Sequence, residues 1–319
     1  MKEQMMTAEY LKVDTLYNGD CTKLMKQIEP NSVALSFWSP PYHVGKSYEK
    51  GQSYEEWLDL LKNAIKLHYA ILKPGSFMVI NIADILAFQD ENMPRIQAVN
   101  TSKLRCSVTK EQIIQAMAEH PDYNRKQLGN LLGVSEQTID RRLHGNNIRG
   151  GKKSIQTRVK LVGPMIEDYI LSAGMYLYDV RIWKKDPTWA NSQWHSNSYR
   201  SVSEYEYLYV AWKPGITKVD RSKLSTEEWS KWGSRGIWDI ASVRKNDDHP
   251  AKFPIELAEK VIRLYTSSGD LVLDPFLGSG TTARAAKLLD RRYIGIELDP
   301  TYFQLAQNNI NTPTETPLF

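Results

Sequence analysis

Short apolar runs alternate with longer amphipathic stretches along the first hundred residues. The runs "VALSFW" (33–38) and "SFMVINIA" (76–83) are apolar almost throughout, which is typical of strands buried on both faces of a sheet. Between them, "SYEEWLDLLKNAIKLHYAIL" (53–72) repeats apolar residues at helical spacing, and Ser53 with Glu56 forms a predicted capping box at its start. Strands that alternate with helices predict an α/β domain with a mostly parallel sheet and helices on both faces.

This alternation is interrupted once and then resumes. From about residue 100 to 151 the pattern shows no strand signal, and two compact helical phrases appear, "TKEQIIQAMAEH" and "NRKQLGNLLGVSEQTIDRRLHG". Strand and helix patterns return at "TRVKLVG" and continue to a closing helix, apart from a polar, irregular stretch at 216–248. We therefore divide the chain into a first α/β half (1–99), a small all-α insert (100–151) and a second α/β half (152–319).

The second helical phrase of the insert has the spacing of two short helices joined at "LGVS". Gly133 lies in the predicted bend, and Ser135 is the predicted N-cap of the second helix. The apolar positions expected to face inward are Leu128, Leu131, Leu132, Val134, Ile139 and Leu143. The arrangement resembles a helix-turn-helix, which also occurs in purely structural bundles. If it reads DNA, the groove-facing candidates are Gln137, Thr138, Arg141 and Arg142.

Charge is distributed unevenly over the 319 residues. Residues 101–160 hold 12 Lys or Arg against 5 Asp or Glu, a local net charge of +7, so the other 259 residues carry −3 of the overall +4. A basic segment on a slightly acidic body predicts a polyanionic partner, with a solvated basic face as the alternative.

Cysteine usage and hydropathy narrow the class of protein further. Cys21 and Cys106 are the only cysteines and lack metal-ligand spacing, so we expect reduced thiols, no metal site and a cytoplasmic protein. No apolar run approaches the roughly 18 residues of a membrane span, and the N-terminus lacks the apolar core of a signal peptide. No membrane partner is therefore expected.

A glycine loop follows a buried strand near the C-terminus. "DPFLGSGTT" places Gly278 and Gly280 between the strand "LVLDPF" and a helix, where the backbone can approach a ligand and the helix offers free N–H groups. Glu297 ends the next strand, "YIGIELD". A carboxylate at that place usually binds the ribose of a nucleoside. The sequence contains no G-x-x-x-x-G-K-[ST], so a P-loop is not expected.

The tetrapeptide "SPPY", Ser39 to Tyr42, follows the strand "VALSFW". Two prolines cannot continue a sheet ladder, and each restricts the residue before it, so the chain leaves the strand as a rigid extended elbow. The elbow holds a hydroxyl, carbonyl oxygens and an aromatic face in fixed positions. It is either a stiff loop that happens to be polar or a loop built to grip a ligand.

Together these motifs resemble the DNA amino-methyltransferases. "DPFLGSGTT" with "YIGIELD" is similar to their S-adenosylmethionine site, and "SPPY" is similar to their catalytic motif. Here the catalytic motif precedes the cofactor loop, an order that resembles the permuted β class. "YNGDC", "LKPGSFMVIN" and "HPAKFP" also fall where that class has them. The resemblance covers about 10–95 and 155–310. It implies a Rossmann-like S-adenosylmethionine-dependent methyltransferase fold with permuted motif order and a small all-α insert.

The resemblance also implies roles for individual residues. In the catalytic motif Ser39, Pro40, Pro41 and Tyr42, the Ser39 hydroxyl and the Pro40 carbonyl accept the two N–H groups of a nucleobase amine, and Tyr42 faces the flipped base. The residues implied to bind the cofactor are Asp20, Asp274, Phe276, Gly278, Gly280, Thr281, Glu297, His249 and Lys252. For His249 and Lys252 a surface elbow is the alternative, and for Asp20 a simple turn. Transfer is direct, since neither cysteine follows a proline as carbon-5 chemistry requires.

The implied substrate is double-stranded DNA. In the family S-P-P-Y usually accompanies N4-cytosine methylation and D-P-P-Y N6-adenine methylation, and "RGIWDI" also resembles the N4 members, so cytosine-N4 is favoured and adenine-N6 is the alternative. Target recognition is implied for about 186–248 and for part of the insert. The aromatic residues of that region, Trp189, Trp194, Trp229 and Trp232, either serve recognition or are simply packed.

Other function classes stay open at this point. The same enzyme could act on RNA or protein, or the chain could be a non-catalytic helix-turn-helix regulator, against which the intact "SPPY" and "DPFLGSGTT" count. A restriction–modification or self-protection role, with a cognate restriction endonuclease as partner, follows from the family but is not established by the sequence. The oligomeric state is left open.

Overall fold

The computed structural model describes residues 9–43, 51–94, 108–144, 156–187, 201–243 and 252–312. His249 lies outside these ranges, as do Cys106, Trp189 and Trp194. Two compact units are distinguished: Phe88–Arg158 forms one, called the helical unit below, and the α/β unit contains the sheet described next.

The described residues contain ten strands. They are β1 Thr15–Asn18, β2 Val33–Trp38, β3 Leu72–Ile82, β4 Ile85–Asp90, β5 Gln156–Lys160, β6 Tyr176–Lys184, β7 Tyr205–Trp212, β8 Ile237–Asp239, β9 Leu271–Asp274 and β10 Arg292–Glu297. The helices are α1 Cys21–Leu24, α2 Tyr54–Ile71, α3 Lys110–Glu119, α4 Arg125–Leu132, α5 Glu136–His144, α6 Gly163–Ser172, α7 Thr226–Glu228, α8 Ile255–Tyr265, α9 Thr281–Leu288 and α10 Pro300–Asn311. Short 3-10 turns cover Met25–Gln27 and Arg221–Lys223, and a π-helical turn covers Trp229–Gly233.

Eight strands form one mixed, mostly parallel sheet in the order β1-β10-β9-β2-β3-β7-β6-β8. The first five strands pair in parallel, β7 is antiparallel to both of its neighbours, and β8 is parallel to β6. Every residue of β2 is buried, as its apolar run predicts. The capping box of α2 is also confirmed, because the Ser53 hydroxyl accepts from Glu56 N–H and the Glu56 carboxylate accepts from Ser53 N–H.

The order of the strands reverses between β9 and β2. The chain passes from β9 to β10 on one side, and from β2 to β3 on the other, while Ser36 of β2 lies in register with Leu273 of β9. In an open α/β sheet a ligand crevice forms outside the carboxyl ends of the strands at such a reversal. The loop after β2 and the loop after β9 therefore flank the place where a ligand is expected.

The core of the sheet is made by helices packed on its central strands. On α8 the residues Leu257, Ala258, Val261 and Ile262 are buried at helical spacing. Together with apolar residues of β2, β3, β7 and β9 they form one continuous buried cluster. This cluster fixes the strand ends on which the candidate site is built.

Within the predicted irregular stretch 216–248, the described residues 216–243 are more ordered than the sequence predicts. They contain α7, the π-helical turn and β8, which joins the edge of the main sheet beside β6. Trp232 is buried and packs edge to face against Trp238, with ring centroids 5.9 Å apart, so it is a packed residue. The expectation of an irregular stretch was wrong because β8 has 3 residues and the π-helical turn 5, too short for a periodic pattern.

The helical unit contains α3, α4 and α5. Helix α4 ends at Gly133, whose φ of +65° is left-handed, and the Ser135 hydroxyl accepts from Thr138 N–H at 3.3 Å at the start of α5. The bend at Gly133 and the cap at Ser135 are therefore where the sequence predicts them. The unit begins at Phe88 and ends at Arg158, wider than the predicted 100–151, because residues of β4 and β5 cluster with it.

The interior of the helical unit is small. Its buried residues are Ile113, Ala116, Leu128 and Ile139, with Val108, Leu132, Val134 and Leu143 packed against them. Leu131, which the sequence predicts to face inward, is 49% exposed. Leu128 and Leu132 are four residues apart and share the inner face of α4, which leaves Leu131 on the flank.

A buried hydrogen-bond chain ties β2 to α2 and β9. His68 on α2 is fully buried, and its Nδ1 lies 2.7 Å from Ala64 O, an acceptor, so Nδ1 carries the ring proton. Its Nε2 lies 2.8 Å from Ser36 Oγ, which is also 3.1 Å from Leu273 O. Burial lowers the pKa of His68 to about 4, so the ring is neutral at pH 7 and Nε2 accepts the Ser36 proton.

Stability should therefore depend on the ionisation of His68. Its pKa is lower in the folded chain than its ordinary 6.5, so the unfolded state takes up the proton first as pH falls. The neutral ring makes its full contribution to the free energy of unfolding above about pH 7, and about 2 kcal/mol of this contribution is lost by about pH 5. Between pH 7 and pH 5, we expect the free energy of unfolding, measured in urea, to fall by about 2 kcal/mol more in wild type than in His68→Phe. Other titrating groups are present in both proteins and cancel, and a gap independent of pH would contradict the prediction.

Candidate active site

Loops that follow four parallel strands bring most of the predicted residues to one edge of the sheet. Asp20 follows β1, the elbow 39–42 follows β2, the loop 275–280 follows β9, and Glu297 ends β10. These strands are paired in parallel, so their carboxyl ends lie on the same side. The elbow and the glycine loop, which are far apart in sequence, thus meet at the reversal between β9 and β2.

The Glu297 carboxylate connects two of these loops. Gly278 N–H donates to its Oε2 at 2.7 Å, and Asp299 N–H donates to its Oε1 at 2.9 Å. Burial raises the pKa of Glu297. Each oxygen keeps a further lone pair that can accept a hydroxyl, but the carboxylate also holds the glycine loop against the end of β10. The sequence analysis predicted only a ligand role, since a contact with a backbone N–H of a preceding loop leaves no motif.

Asp274 shapes the start of the same loop. Its side chain is buried, and its Oδ1 accepts from Phe276 N–H at 3.0 Å. Burial raises the pKa of Asp274 to about 7, because a carboxylate in this position is removed from water. The Phe276 ring packs against Trp38, with centroids 5.1 Å apart. The loop after β9 is therefore joined by an aromatic contact to the end of β2.

The glycines of the loop are needed for backbone reasons. Gly278 and Gly280 have φ values of +53° and +88°, in the left-handed region that favours glycine. A Cβ on Gly280 would lie 3.1 Å from the Cβ of Ala306 on α10. The sequence predicts glycine here because the backbone can then approach a ligand. The close packing of α10 is a second reason for a glycine at position 280.

A cavity lies at the N-terminus of α9. It is lined by Val243, Lys252, Phe253, Ile255, Ser279, Gly280, Thr281, Arg284 and Asn309. Lys252 and Thr281, both predicted, therefore share one cavity with the loop. Two basic side chains and a helix N-terminus make it suited to a carboxylate or another anion. Within the described residues, Arg284 Nε is buried without a hydrogen-bond partner, as expected for a donor that faces a ligand.

Asp20 caps the short helix α1. Its Oδ1 accepts from Thr22 N–H at 2.8 Å and from Thr22 Oγ1 at 2.7 Å, which matches its alternative interpretation as a turn residue. Its position after β1 keeps it at the same edge as Glu297. The adjacent Cys21 is buried, and burial raises the pKa of its thiol to about 12. Cys21 is therefore a thiol at neutral pH and not a nucleophile.

The elbow after β2 is held by helix α2. Trp57 on α2 is fully buried and donates its indole N–H to Pro41 O at 2.6 Å. Tyr54 stacks on Trp57, with centroids 5.6 Å apart, and His43, which leaves the elbow with a φ of +53°, packs on both rings. The rigidity expected from the two prolines is thus reinforced by an aromatic cluster that the sequence analysis did not identify.

Behind the elbow lies a polar network. Ser39 Oγ donates to Tyr42 Oη at 3.0 Å, and Tyr42 Oη donates to Glu206 Oε2 at 2.7 Å and lies 3.2 Å from Asn81 O. The other oxygen of Glu206 pairs with the ammonium of Lys185. Sequence reasoning missed Glu206 and Lys185. The signal that could have found Glu206 is a charged residue inside the largely apolar strand "YEYLYVAW".

The residues predicted to contact DNA lie on α5 of the helical unit. Gln137 and Arg141 are exposed, whereas Thr138 and Arg142 are half-buried. The Thr138 hydroxyl lies 3.0 Å from Ser135 Oγ, so this side chain takes part in the helix cap. The strongest candidates for contact with a large partner are therefore Gln137 and Arg141.

The described ranges bear on two further kinds of feature, metal sites and membrane-spanning helices. No group of three or more His, Cys, Asp or Glu side chains there is arranged to hold a metal ion. None of the helices described combines the length and apolar character needed to cross a membrane.

Comparison with known proteins identifies the family. The N6/N4 family model described as DNA methylase matches residues 33–308. The type II methyltransferase M.BglI of Bacillus subtilis is 59% identical over 308 residues, 97% of this chain and 88% of that protein. M.Cfr9I of Citrobacter freundii, also a type II methyltransferase, is 33% identical over 97% of this chain and 92% of its own length. A solved Thermus thermophilus structure, described as a DNA modification methylase complexed with S-adenosyl-L-methionine, has a TM-score of 0.59 and 26% identity over 92% of each chain. This chain therefore belongs to the N6/N4 DNA methylase family.

Proposed function

We propose that this chain methylates the exocyclic N4 amine of a cytosine at a specific site in double-stranded DNA, with S-adenosylmethionine as the methyl donor. The coarser activity, a DNA amino-methyltransferase that depends on S-adenosylmethionine, follows from its family. The finer proposal, cytosine-N4, rests on the serine of the S-P-P-Y elbow. The elbow and the glycine loop flank the reversal of strand order between β2 and β9, which supports a methyl-transfer site there. The type II names of its relatives support a role beside a restriction endonuclease.

The residues at the strand ends fit the cofactor. When bound, S-adenosylmethionine supplies a methyl group activated by a positive sulfur. The remaining lone pairs of Glu297 suit ribose hydroxyls, and the cavity with Lys252, Thr281 and Arg284 suits the carboxylate of the methionine part. The buried donor Arg284 Nε, which has no partner among the described residues, would gain one there. Asp20, Asp274 and Phe276, on the loops at the same strand ends, are proposed to complete the cofactor site.

The elbow supplies what a nucleobase amine needs in order to react. The nitrogen of such an amine is a weak nucleophile because its lone pair is delocalised into the ring. Acceptors that bind both N–H groups draw the nitrogen toward tetrahedral geometry and free the lone pair. Ser39 Oγ and the Pro40 carbonyl are the proposed acceptors, and Tyr42 offers its ring to a base extruded from the duplex. The contact of Trp57 with Pro41 O keeps this geometry fixed.

The alternative target is the N6 amine of adenine, and a more distant alternative is a DNA-binding regulator without activity. Single-molecule sequencing of DNA from cells that express the chain tests all three, because it reports the modified base and its sequence context together. Modified cytosine at one motif supports the proposal, and modified adenine replaces it with the first alternative. Unmodified DNA, together with no methyl transfer by the purified protein to any DNA, would favour the regulator.

We further propose that the helical unit contacts DNA and that residues 186–248 share in target recognition. Support for the first part comes from the +7 local charge of residues 101–160 and from the exposed Gln137 and Arg141 on α5, which follows the bend at Gly133. In a helix-turn-helix the second helix presents such residues to a groove, where Gln and Arg can bind base edges.

Substitution of Tyr42 should separate substrate chemistry from cofactor binding. In Tyr42→Ala, methyl transfer to DNA should fall by at least about 100-fold. The target base loses its contact with the tyrosine ring, and Ser39 loses its hydrogen-bond partner. The dissociation constant for S-adenosylmethionine, measured by calorimetry, should stay within about threefold of wild type. A comparable loss of cofactor affinity would mean that Tyr42 belongs to the cofactor site.

Removal of the Glu297 carboxylate should weaken cofactor binding. Charge-assisted hydrogen bonds contribute about 1.5–3 kcal/mol, so Glu297→Ala should raise the dissociation constant for S-adenosylmethionine about 10- to 100-fold. Because Glu297 also binds Gly278 N–H, the thermal midpoint of the ligand-free protein is the control. A matched variant, Asp299→Asn, tests the neighbouring loop. An unchanged dissociation constant in Glu297→Ala would remove this residue from the site.

Replacement of residues 101–150 by a short Gly-Ser linker removes α3, α4 and α5 and tests the helical unit. The shortened protein should fold and bind S-adenosylmethionine, while its affinity for DNA and the salt dependence of that affinity should both decrease as phosphate contacts are lost. Arg141→Gln should reduce the slope of log K against log salt by about one. Unchanged methylation and salt response would show that this unit does not contact DNA, and failure to fold would make it part of the core.

A further inference from the structure

A buried ion pair lies directly behind the elbow. Glu206 on β7 is 7% exposed, and the side chains of Glu206 and Lys185 are 10% and 15% exposed. A carboxylate in such a place is costly unless charges and donors around it are satisfied. Lys185 satisfies Oε1 of Glu206, and the Tyr42 hydroxyl satisfies Oε2 at 2.7 Å. The ion pair between Glu206 and Lys185 therefore differs from the surface ion pairs among the described residues, because it is hydrogen-bonded to Tyr42, a residue of the elbow.

The chemistry of the partners sets the direction of the hydrogen bonds that link Ser39, Tyr42 and Glu206. The carboxylate of Glu206 and the carbonyl of Asn81 are acceptors only, at 2.7 Å and 3.2 Å from Tyr42 Oη. The single proton of Tyr42 therefore goes to one of these two acceptors, and the shorter distance favours Glu206. Toward Ser39, 3.0 Å away, the Tyr42 oxygen can offer only a lone pair. The Ser39 proton is thus used on Tyr42, and the lone pairs of Ser39 Oγ are left for another donor.

This direction decides what Ser39 can do to an amine. A hydroxyl can donate or accept, and a Ser39 that donated to the target nitrogen would occupy the lone pair that has to react. A Ser39 that accepts a hydrogen bond from an N–H leaves that lone pair free. A carboxylate in the same place, as in D-P-P-Y, accepts by its nature. A serine needs a neighbour that fixes its proton, and the distances provide one through Tyr42.

We infer that Glu206, held by Lys185, is a positioning residue that orients the protons of Tyr42 and Ser39 so that Ser39 meets the target amine as an acceptor. This role deepens and rests on the proposed function of the elbow. Glu206 acts through Tyr42 and Ser39 and does not touch the substrate. The amide of Glu206→Gln has nearly the same shape but can donate, which allows the whole chain of hydrogen bonds to reverse.

The test is a double-mutant cycle between Glu206→Gln and Ser39→Asp. Alone, Glu206→Gln should lower kcat for DNA methylation about 10- to 100-fold, with the KM for DNA and the affinity for S-adenosylmethionine within about threefold of wild type. In the Ser39→Asp background, where the acceptor needs no orientation, Glu206→Gln should change kcat by less than about threefold. A second cycle uses Tyr42→Phe, which removes the connecting hydroxyl, so that Glu206→Gln should add no further loss.

The control is Asp270→Asn, which breaks the ion pair between Asp270 and Lys73 (3.1 Å), a pair that involves no residue of the elbow. It should leave kcat unchanged. The inference is overturned if Glu206→Gln keeps its kcat, if it loses as much activity in the Ser39→Asp background, or if cofactor affinity and thermal midpoint fall in parallel with kcat. These outcomes require an active wild type. A wild type that binds S-adenosylmethionine but methylates no DNA instead overturns the proposed function, and the role of Glu206 with it.

Discussion

The parallel pairing of β2 with β9 is the constraint on which the rest of the site depends. It joins a strand near the start of the chain to one near its end, and it lies at the point where strand order reverses. Only Leu35 and Ser36 are in register with Val272 and Leu273, so the pairing itself is short. It is reinforced from behind by Ser36, whose hydroxyl lies near both His68 Nε2 and Leu273 O in the buried interior. Buried polar groups that need a partner specify one register strongly, because a shift would leave Ser36 Oγ and His68 Nε2 unpaired.

The sequence patterns correctly predicted the features that depend on interactions between residues close together in the chain. The capping box at Ser53, the buried strand β2, the glycine loop and the bend at Gly133 each depend on residues a few positions apart, so the sequence was sufficient for them. The contacts that complete the site are non-local, since Tyr42 meets Glu206 from another strand and Glu297 meets Gly278 from another loop. Periodicity carries no information about such pairs. It also fails for β8, whose short run is held in the sheet by pairing with β6 and by the buried Trp238.

Several residues chosen by motif have a structural role in addition to the proposed one. Glu297 binds the glycine loop, Asp20 caps α1, and Gly280 accommodates Ala306. This overlap is expected where a loop must hold its shape before a ligand arrives, since preorganised groups need no rearrangement at the moment of binding. It also means that loss of function in a variant of Glu297 does not by itself locate a ligand. The stability of the ligand-free protein has to be measured beside it.

The two sides of the reversal differ in how they balance charge. On the side of β9 and β10, burial raises the pKa of Asp274 to about 7 and also raises that of Glu297, so a positive charge placed beside them would favour their charged forms. On the side of β7, the Glu206 carboxylate is already paired with the Lys185 ammonium. It contacts the elbow through the hydrogen bond that it accepts from the Tyr42 hydroxyl. In the proposed role, a neutral serine is oriented by a balanced ion pair, so that it accepts from the amine as a carboxylate would by its nature.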